Sequence, residues 1–457
     1  MRVPLALGAW LLGIALAWMA ALPPEGGVWP LVDAQGAASG AWMLRQHALY
    51  LSGLWSIGLM SLAMVLALRL PLLERPLGGM DQVYRLHKWA GIGAGITAIT
   101  HWAVKESSGW IKDLWGSAGR PARDALVPWL ADGRHLAKDL GEWAFYLLLG
   151  MLLFTLWQRL LPYRRWRIVH RAMPVLYLLL AFHAAVLTPL AFWVQPLGLL
   201  LGALLALGSL AALWSLAGRI GRGRSHAARV HAVRALGEDG AAPLEVICAM
   251  PPTWPGHRAG QFVFARFDRA EGAHPFTIAS APGALGHSAD GEPLLRLVIK
   301  PLGDYTRSLH QRLRAGQGVR IEGPYGHFDG RARAGREQLW VAGGVGVTPF
   351  LALLEARQPG AAAQGAPVQM HYCTRDARND ALLPRLRALC ERAQPPVRLT
   401  VHGEAQGQRL APQDLRPATA GPVDLWFCGP RGLGQALRRH ARRMGRWRLR
   451  QESFAMR

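Results

Sequence analysis

Six apolar runs, each close to the roughly 20 residues that a bilayer-crossing helix needs, crowd the first 217 residues of this 457-residue chain, at about 3–22, 43–68, 84–104, 140–161, 167–190 and 193–217. So much contiguous apolar sequence predicts a transmembrane bundle. The first run follows Met1 and Arg2 and ends in "AWMAALPP"; its length reads as a retained first helix rather than a cleaved signal. "PPEGGVWPLVDAQGAASG" holds no Lys or Arg, whereas "RLPLLERPLGGMDQVYRLHK" and "LPYRRWRIVHR" are basic. Because positive loops favour the cytoplasmic side, both termini are expected there, with the chain in the inner cell membrane.

Beyond "GRIGRGRSHAAR" the period changes. "LEVICAM", "QFVFARF", "LLRLVIK" and "VRIEG" read as short strands bounded by Gly, Pro and Asp, which suggests a small antiparallel barrel. From "QLWVAGGVGVTPFLALLEAR" onward, strands alternate with helices, the pattern of a parallel α/β domain. The expected domains are 1–217, 225–332 and 333–457. A net charge of +23 could point to nucleic acid, but much of it lies in "RIGRGRSHAAR" and "PYRRWRIVHR", beside apolar runs, and in "RRHARRMGRWRLR", read as a solvated helix face that also meets anionic lipid. No nucleic-acid partner is expected. Four cysteines, Cys248, Cys373, Cys390 and Cys428, lack metal or secretory spacing and fit a reducing cytosol.

Two apolar runs carry paired histidines. His87 and His101 are 14 residues apart, about 21 Å of helical rise, and fall within roughly 40° of one face. His170 and His183 are 13 apart, and an ideal helix rotates them by roughly 140°. Pro174 between them can break that phase. If both segments run the same way, His87 meets His170 and His101 meets His183 at two depths. A lone intramembrane imidazole reads as a buried polar group bonded to a neighbouring helix. Four in matching registers read as axial haem-iron ligands. His47 and His135 read as interfacial; Arg45 could pair with a haem propionate or snorkel. Tyr177 falls between the two levels, as a bridge or a packing residue.

In the polar half, "HPFTIASAP" ends a strand with Phe276, which offers a ring face to a flavin, and Thr277, which offers a hydrogen bond; alone it also reads as an ordinary strand end. Gly303 and Asp304 precede a helix starting near Thr306, whose free N–H groups suit a pyrophosphate. "VAGGVGVTPF" is a strand, a glycine-rich turn and a helix start. "FCGP" closes a later strand, where the Cys428 thiol could sit beside a nicotinamide. Arg375 suits a ribose 2′-phosphate and so NADPH, whereas Asp376 would suit the bare hydroxyl of NADH.

Together these motifs resemble the ferric reductase and NADPH oxidase superfamily over nearly the whole chain, and "GGMDQVYRLHKWAG" resembles its bacterial members. The resemblance implies a six-helix transmembrane bundle binding two b-type haems through His87, His101, His170 and His183, then an antiparallel β-barrel FAD domain and an α/β NAD(P)-binding domain. It implies that His274, Pro275, Phe276 and Thr277 hold FAD, with Gly323, Pro324, Tyr325 and Gly326 closing the flavin pocket. Gly343, Gly344, Gly346, Thr348 and Pro349 match the nucleotide loop, and Cys428 the nicotinamide-side cysteine. Phe454 of "ESFAMR" matches the terminal aromatic over the flavin, although three residues follow it here. The expected function is transfer of electrons from cytosolic NADPH through FAD and two haems to an acceptor outside the cytoplasm, O₂ or a ferric chelate. A quinone or periplasmic-partner reductase is an alternative within the class; a haem or ion transporter with a nucleotide-sensing domain is one outside it.

Overall fold

The computed structural model describes residues 2–22, 37–117, 120–122, 124–156, 163–237, 242–268, 271–331, 333–359, 367–419 and 421–452. The chain divides into two units, Met1–Ile220 and Gly221–Arg457.

In the first unit the apolar runs become helices: α1 (Arg2–Ala20), α2 (Ala37–Ala67), α3 (Pro71–Leu77), α4 (Met80–Glu106), α5 (Ser108–Trp115), α6 (Arg134–Leu156), α7 (Tyr163–His170), α8 (Met173–Leu187), α9 (Leu190–Trp193) and α10 (Pro196–Leu216). Among the described residues four stretches are long and apolar enough to cross a membrane: Val3–Ala20, Gly40–Ala67, Trp166–Leu187 and Pro196–Leu216. The two other expected spans lie in α4 and α6, which have the length, 27 and 23 residues. They are more polar, because charges such as Asp81, Arg85, Lys88, Lys105, Arg134, Lys138 and Glu142 lie at or near the helix ends, some of them inside the apolar runs. Between the facing helices Ala90, Ala94 and Ala144 are at most 1% exposed. Small residues there let backbones approach, the packing that works where lipid removes any hydrophobic drive between helices.

The awkward histidine phase has a local solution. The helix ends at His170, turns through Arg171 and Ala172, and restarts at Met173 with Pro174 in its first turn. A proline there gives up only an N–H that has no helical partner. The break replaces the continuous helix from which the 140° mismatch was calculated.

The second unit begins with six antiparallel strands: β1 (Ser225–Ala235), β2 (Leu244–Ala249), β3 (Phe262–Arg266), β4 (His274–Thr277), β5 (Leu294–Ile299) and, after α11 (Asp304–Arg312), β6 (Gly318–Tyr325). Their order is β4-β3-β6-β1-β2-β5. The ladder is open: its edges β4 and β5 approach through one isolated bridge, Ile278 to Leu297, just past the end of β4. β4 is four residues long and contains Pro275, which has no N–H for a ladder.

Five parallel strands follow: β7 (Glu337–Gly343), α12 (Thr348–Glu355), β8 (Val368–Thr374), α13 (Leu383–Arg392), β9 (Val397–Gly403), β10 (Val423–Cys428), α14 (Arg431–Arg443) and β11 (Trp447–Gln451), in sheet order β11-β10-β7-β8-β9. Strand order reverses between β7 and β10, the switch point where doubly wound sheets open a crevice at their carboxyl ends. The arginine-rich "RRHARRMGRWRLR" is not one helix face. α14 stops at Arg443, the chain turns at Gly445 with φ 63°, and "WRLRQ" pairs with β10 as an edge strand.

Candidate functional site

In the first unit the four histidines form two facing pairs. The ring centres of His87 and His170 are 6.1 Å apart, and those of His101 and His183 are 6.5 Å apart. With a metal–imidazole bond of about 2 Å at each end and the ligating nitrogen about 1.1 Å from its ring centre, two rings sharing one metal stand roughly 6.2 Å apart. Both pairs fit that spacing. Nδ1 lies 2.9 Å from the Ala63 carbonyl in His87, 2.9 Å from Leu49 in His101 and 2.7 Å from Ala137 in His183. A proton donated from Nδ1 to a carbonyl leaves Nε2 as the lone-pair atom, the tautomer a metal requires.

The second pair is cradled by glycine. A Cβ at Gly53 would stand 3.1 Å from His101, and one at Gly141 would stand 2.0 Å from Nδ1 of His183. Among the described residues no cluster of three or more His, Cys, Asp or Glu could hold a metal. Two facing imidazoles at this spacing fit the donor set of a bis-histidine haem iron. Tyr177 is fully buried between the two levels, its hydroxyl 2.9 Å from Ser61 Oγ. His47 meets Trp18 edge to face at 5.5 Å, and Arg45 donates to the Lys105 carbonyl at 2.9 Å.

In the second unit the flavin candidates from distant sequence positions converge. The His274 ring stacks on Tyr305 at 4.3 Å, joining the end of β3–β4 to the start of α11. Thr306 Oγ1 accepts from the backbone N–H groups of Leu302 and Gly303, both at 3.0 Å. Its hydroxyl caps the helix, and phosphate affinity falls to the free N–H groups of the first turn rather than to the Thr306 side chain. Asp304 is fully exposed. Phe276 is 9% exposed and packs on Phe267 at 6.1 Å, so the ring expected to offer its face is largely taken into the core of the antiparallel sheet. Thr277 is buried, Tyr325 bonds Glu322 at 2.9 Å, and Arg224 lies over the Tyr325 ring.

The nucleotide loop leaves β7 at Gly343, turns through Gly344 to Val347 and enters α12 at Thr348–Pro349. It presses on the end of β10: a Cβ at Gly346 would stand 2.3 Å from the Cys428 carbonyl, and one at Gly343 would stand 2.5 Å from Pro430. Gly344 has φ 54°, a left-handed conformation that glycine adopts without steric cost. Burial, with a smaller contribution from Glu452, pushes the Cys428 thiol well above its usual range, which keeps it neutral.

Two residues were not singled out from sequence. Glu452, 8% exposed, reaches both Cys428 and Gly326, where a Cβ would stand 2.9 Å from its Oε1. Lys300 brings its amine within 3.9 Å of a Cβ position at Gly344. Its signal was a lone cation ahead of "PLGDYT". Arg375 is exposed at the end of β8. Asp376 accepts from Gln406, Asn379 and the Arg378 N–H, at 2.7, 2.8 and 3.0 Å. These bonds, Gln406 first, lower its carboxyl below the usual range. Phe454 lies outside the described residues.

Residues 52–181 match the family profile "Ferric reductase like transmembrane component", and residues 230–329 match "FAD-binding domain". A vanillate O-demethylase oxidoreductase of Pseudomonas putida is 33% identical over 156 residues, 33% of this chain and 45% of that protein. A flavohemoprotein of Bordetella pertussis is 27% identical over 207 residues, 40% of this chain and 49% of that protein. The chain thus spans less than half the length of these relatives. A crystal structure of a ferredoxin NADP+ reductase from Neisseria gonorrhoeae with bound FAD and NADP aligns at 15% identity and TM-score 0.37, covering 50% of this chain and 98% of that one. The chain therefore joins a ferric reductase-like transmembrane component to an FAD-binding domain, and the polar half is the part that its oxidoreductase relatives share.

Proposed function

We propose that the chain carries electrons from NADPH on the cytoplasmic side, through FAD and two b-type haems, to an acceptor on the opposite face of the inner membrane, either O₂ or a ferric chelate. The reading takes α1, α2, α4, α6, α7–α8 and α10 as six spans with both termini cytoplasmic. The observation that carries it is the pair of histidine ring separations, 6.1 and 6.5 Å, at two levels of one helix pair.

When bound, FAD supplies the conversion of a two-electron hydride into single electrons, and haem supplies a one-electron carrier. The chain's own residues hold and orient. His87 with His170 would hold one haem, and His101 with His183 the other. The carbonyls of Ala63, Leu49 and Ala137 fix three of the four tautomers. His274, Thr277, the α11 N-terminus and Gly323 to Gly326 would hold FAD. Gly343 to Gly346 and the α12 N-terminus receive the nucleotide phosphates, with Lys300 adding charge. Arg375 supports NADPH over NADH, because Asp376 spends its oxygens on Gln406, Asn379 and the Arg378 N–H.

The test uses purified full-length chain in detergent. A dithionite-reduced spectrum should show a b-type α-band, and its absence ends the proposal. His101→Ala should abolish reduction of a ferric chelate and of O₂ while NADPH still reduces flavin. Comparing NADPH oxidation with O₂, with a ferric chelate and with neither then identifies the acceptor.

A further inference from the structure

Four charged side chains tie the flavin sheet to the nucleotide-loop helix. Arg296 on β5 sets Nε 2.8 Å from Glu245 Oε1 on β2 and Nη1 2.9 Å from Glu355 Oε1 at the end of α12. The Nε contact is a close ion pair lying off the N–H direction, and the Nη1 contact is an aligned hydrogen bond. Arg385 on α13 closes the ring, with Nη1 3.2 Å from Glu245 and Nη2 against Glu355. The side chains of Arg296, Glu355 and Glu245 are 8%, 9% and 13% exposed, and Arg385 is 33% exposed. Two positive and two negative charges balance.

The cluster also holds backbone next to the flavin strand. Glu355 Oε2 accepts from the Ala281 N–H at 2.9 Å, and Arg296 Nη1 donates to the Ala279 carbonyl at 3.4 Å. The Arg296 N–H bonds Ser280 Oγ at 3.1 Å, and His257 donates to the Ser280 carbonyl at 3.0 Å. Ala279 to Ala281 directly follow His274–Thr277 and Ile278. At its other end α12 begins with Thr348 and Pro349 of the nucleotide loop. One eight-residue helix therefore runs from that loop to the segment behind the flavin strand.

We infer that Arg296, Glu355, Glu245 and Arg385 are positioning residues for hydride transfer: their ion-pair cluster sets the distance and angle between the flavin strand and the nucleotide loop. The inference rests on the proposed use of NADPH and FAD by this unit. Its physical basis is that a rigid, charge-balanced link in a low-dielectric interface resists the small displacements that most reduce transfer between two bound rings. The cluster touches neither nucleotide in this assignment, so its loss should change the rate and not the affinity.

The experiment is single-turnover reduction of the flavin by NADPH in full-length chain. Glu355→Gln keeps the shape and an acceptor for Ala281 but removes the charge facing two arginines. Its reduction rate at saturating NADPH should fall roughly ten- to a hundredfold, with FAD content, flavin midpoint potential and the NADP+ dissociation constant unchanged. Arg385→Gln, the more exposed member, serves if Glu355→Gln does not fold, and should show a smaller loss in the same sense. Arg296→Lys should recover part of the rate lost in Arg296→Gln. Unchanged saturating rates in a folded Glu355→Gln or Arg385→Gln overturn the inference, as does a loss accounted for by weaker FAD or NADP+ binding. If wild-type flavin is not reduced by NADPH, the proposed function itself has failed and the cluster is not at issue.

Discussion

Trp166 stacks on His170, ring centres 4.9 Å apart and planes within 18°, while its indole N–H reaches Thr155 Oγ1 at 3.3 Å. His170 is the one histidine of the four whose Nδ1 has no hydrogen-bond partner among the described residues. The other three are oriented by a carbonyl; His170 is oriented by an aromatic face and by the helix break that follows it.

Trp166→Ala should therefore weaken the His87–His170 site while sparing the other. Removing a partner that orients a ligand typically costs about 10- to 100-fold in affinity for the bound group. Haem transfer to apomyoglobin should become biphasic, with one haem per chain released faster. Monophasic, wild-type release would show that the stacking has no part in holding His170.

Gly141 tests the second pair by volume. A methyl group there would overlap His183, with its Cβ 2.0 Å from Nδ1. Gly141→Ala should displace the ring and cost about 1–3 kcal/mol as overpacking, with loss of one b-type signal and of acceptor reduction but not of flavin reduction. Gly150, on the same helix with nothing within 4 Å of a Cβ, is the control. Gly150→Ala should be neutral or stabilising by up to about 1 kcal/mol. Reduced spectra and thermal melts of both variants decide the matter.

Nucleotide choice should turn on Arg375. Asp376 is engaged by Gln406, Asn379 and the Arg378 N–H, which leaves the exposed guanidinium at the strand end to meet a 2′-phosphate. A hydrogen bond to a charged group is worth about 1.5–3 kcal/mol, so Arg375→Ala should lower kcat/KM for NADPH by about 10- to 100-fold and leave that for NADH almost unchanged. Equal losses with both nucleotides would remove Arg375 from the specificity argument.

Much of this was legible in the sequence, for physical reasons that differ by element. Long apolar runs and glycine-rich turns mark spans and a phosphate loop because bilayer thickness and close backbone approach leave few alternatives. The His87–His101 register follows from 3.6 residues per turn, whereas His170–His183 depends on a two-residue break that a proline permits without dictating. β1, "SHAARVHAVRA", and β11, "WRLRQ", were hidden because Ala, Arg and His carry little strand preference; neighbouring strands recruit them. Glu452 and the Arg296 cluster were out of reach because their partners are tens to more than a hundred residues away in sequence.

The nucleotide sheet also carries an acid-sensitive pair away from the site. His371 on β8 and His402 on β9 stack at 5.3 Å, with Nδ1 of one 3.1 Å from Nε2 of the other. Burial, then the neighbouring His402, holds His371 down at about 4; burial lowers His402, with Asp414 opposing. A histidine whose folded value lies below its unfolded one binds fewer protons when folded, so acid favours unfolding. The stability contributed by this pair is fully present above about pH 6.5 and is lost as pH falls towards 4. His371→Asn keeps a polar group near Nδ1 but cannot take the proton. The melting temperature of the nucleotide unit, followed by flavin fluorescence, should fall less between pH 6.5 and 4.5 in the variant than in the wild type. Parallel curves for the two proteins would mean that acid acts elsewhere.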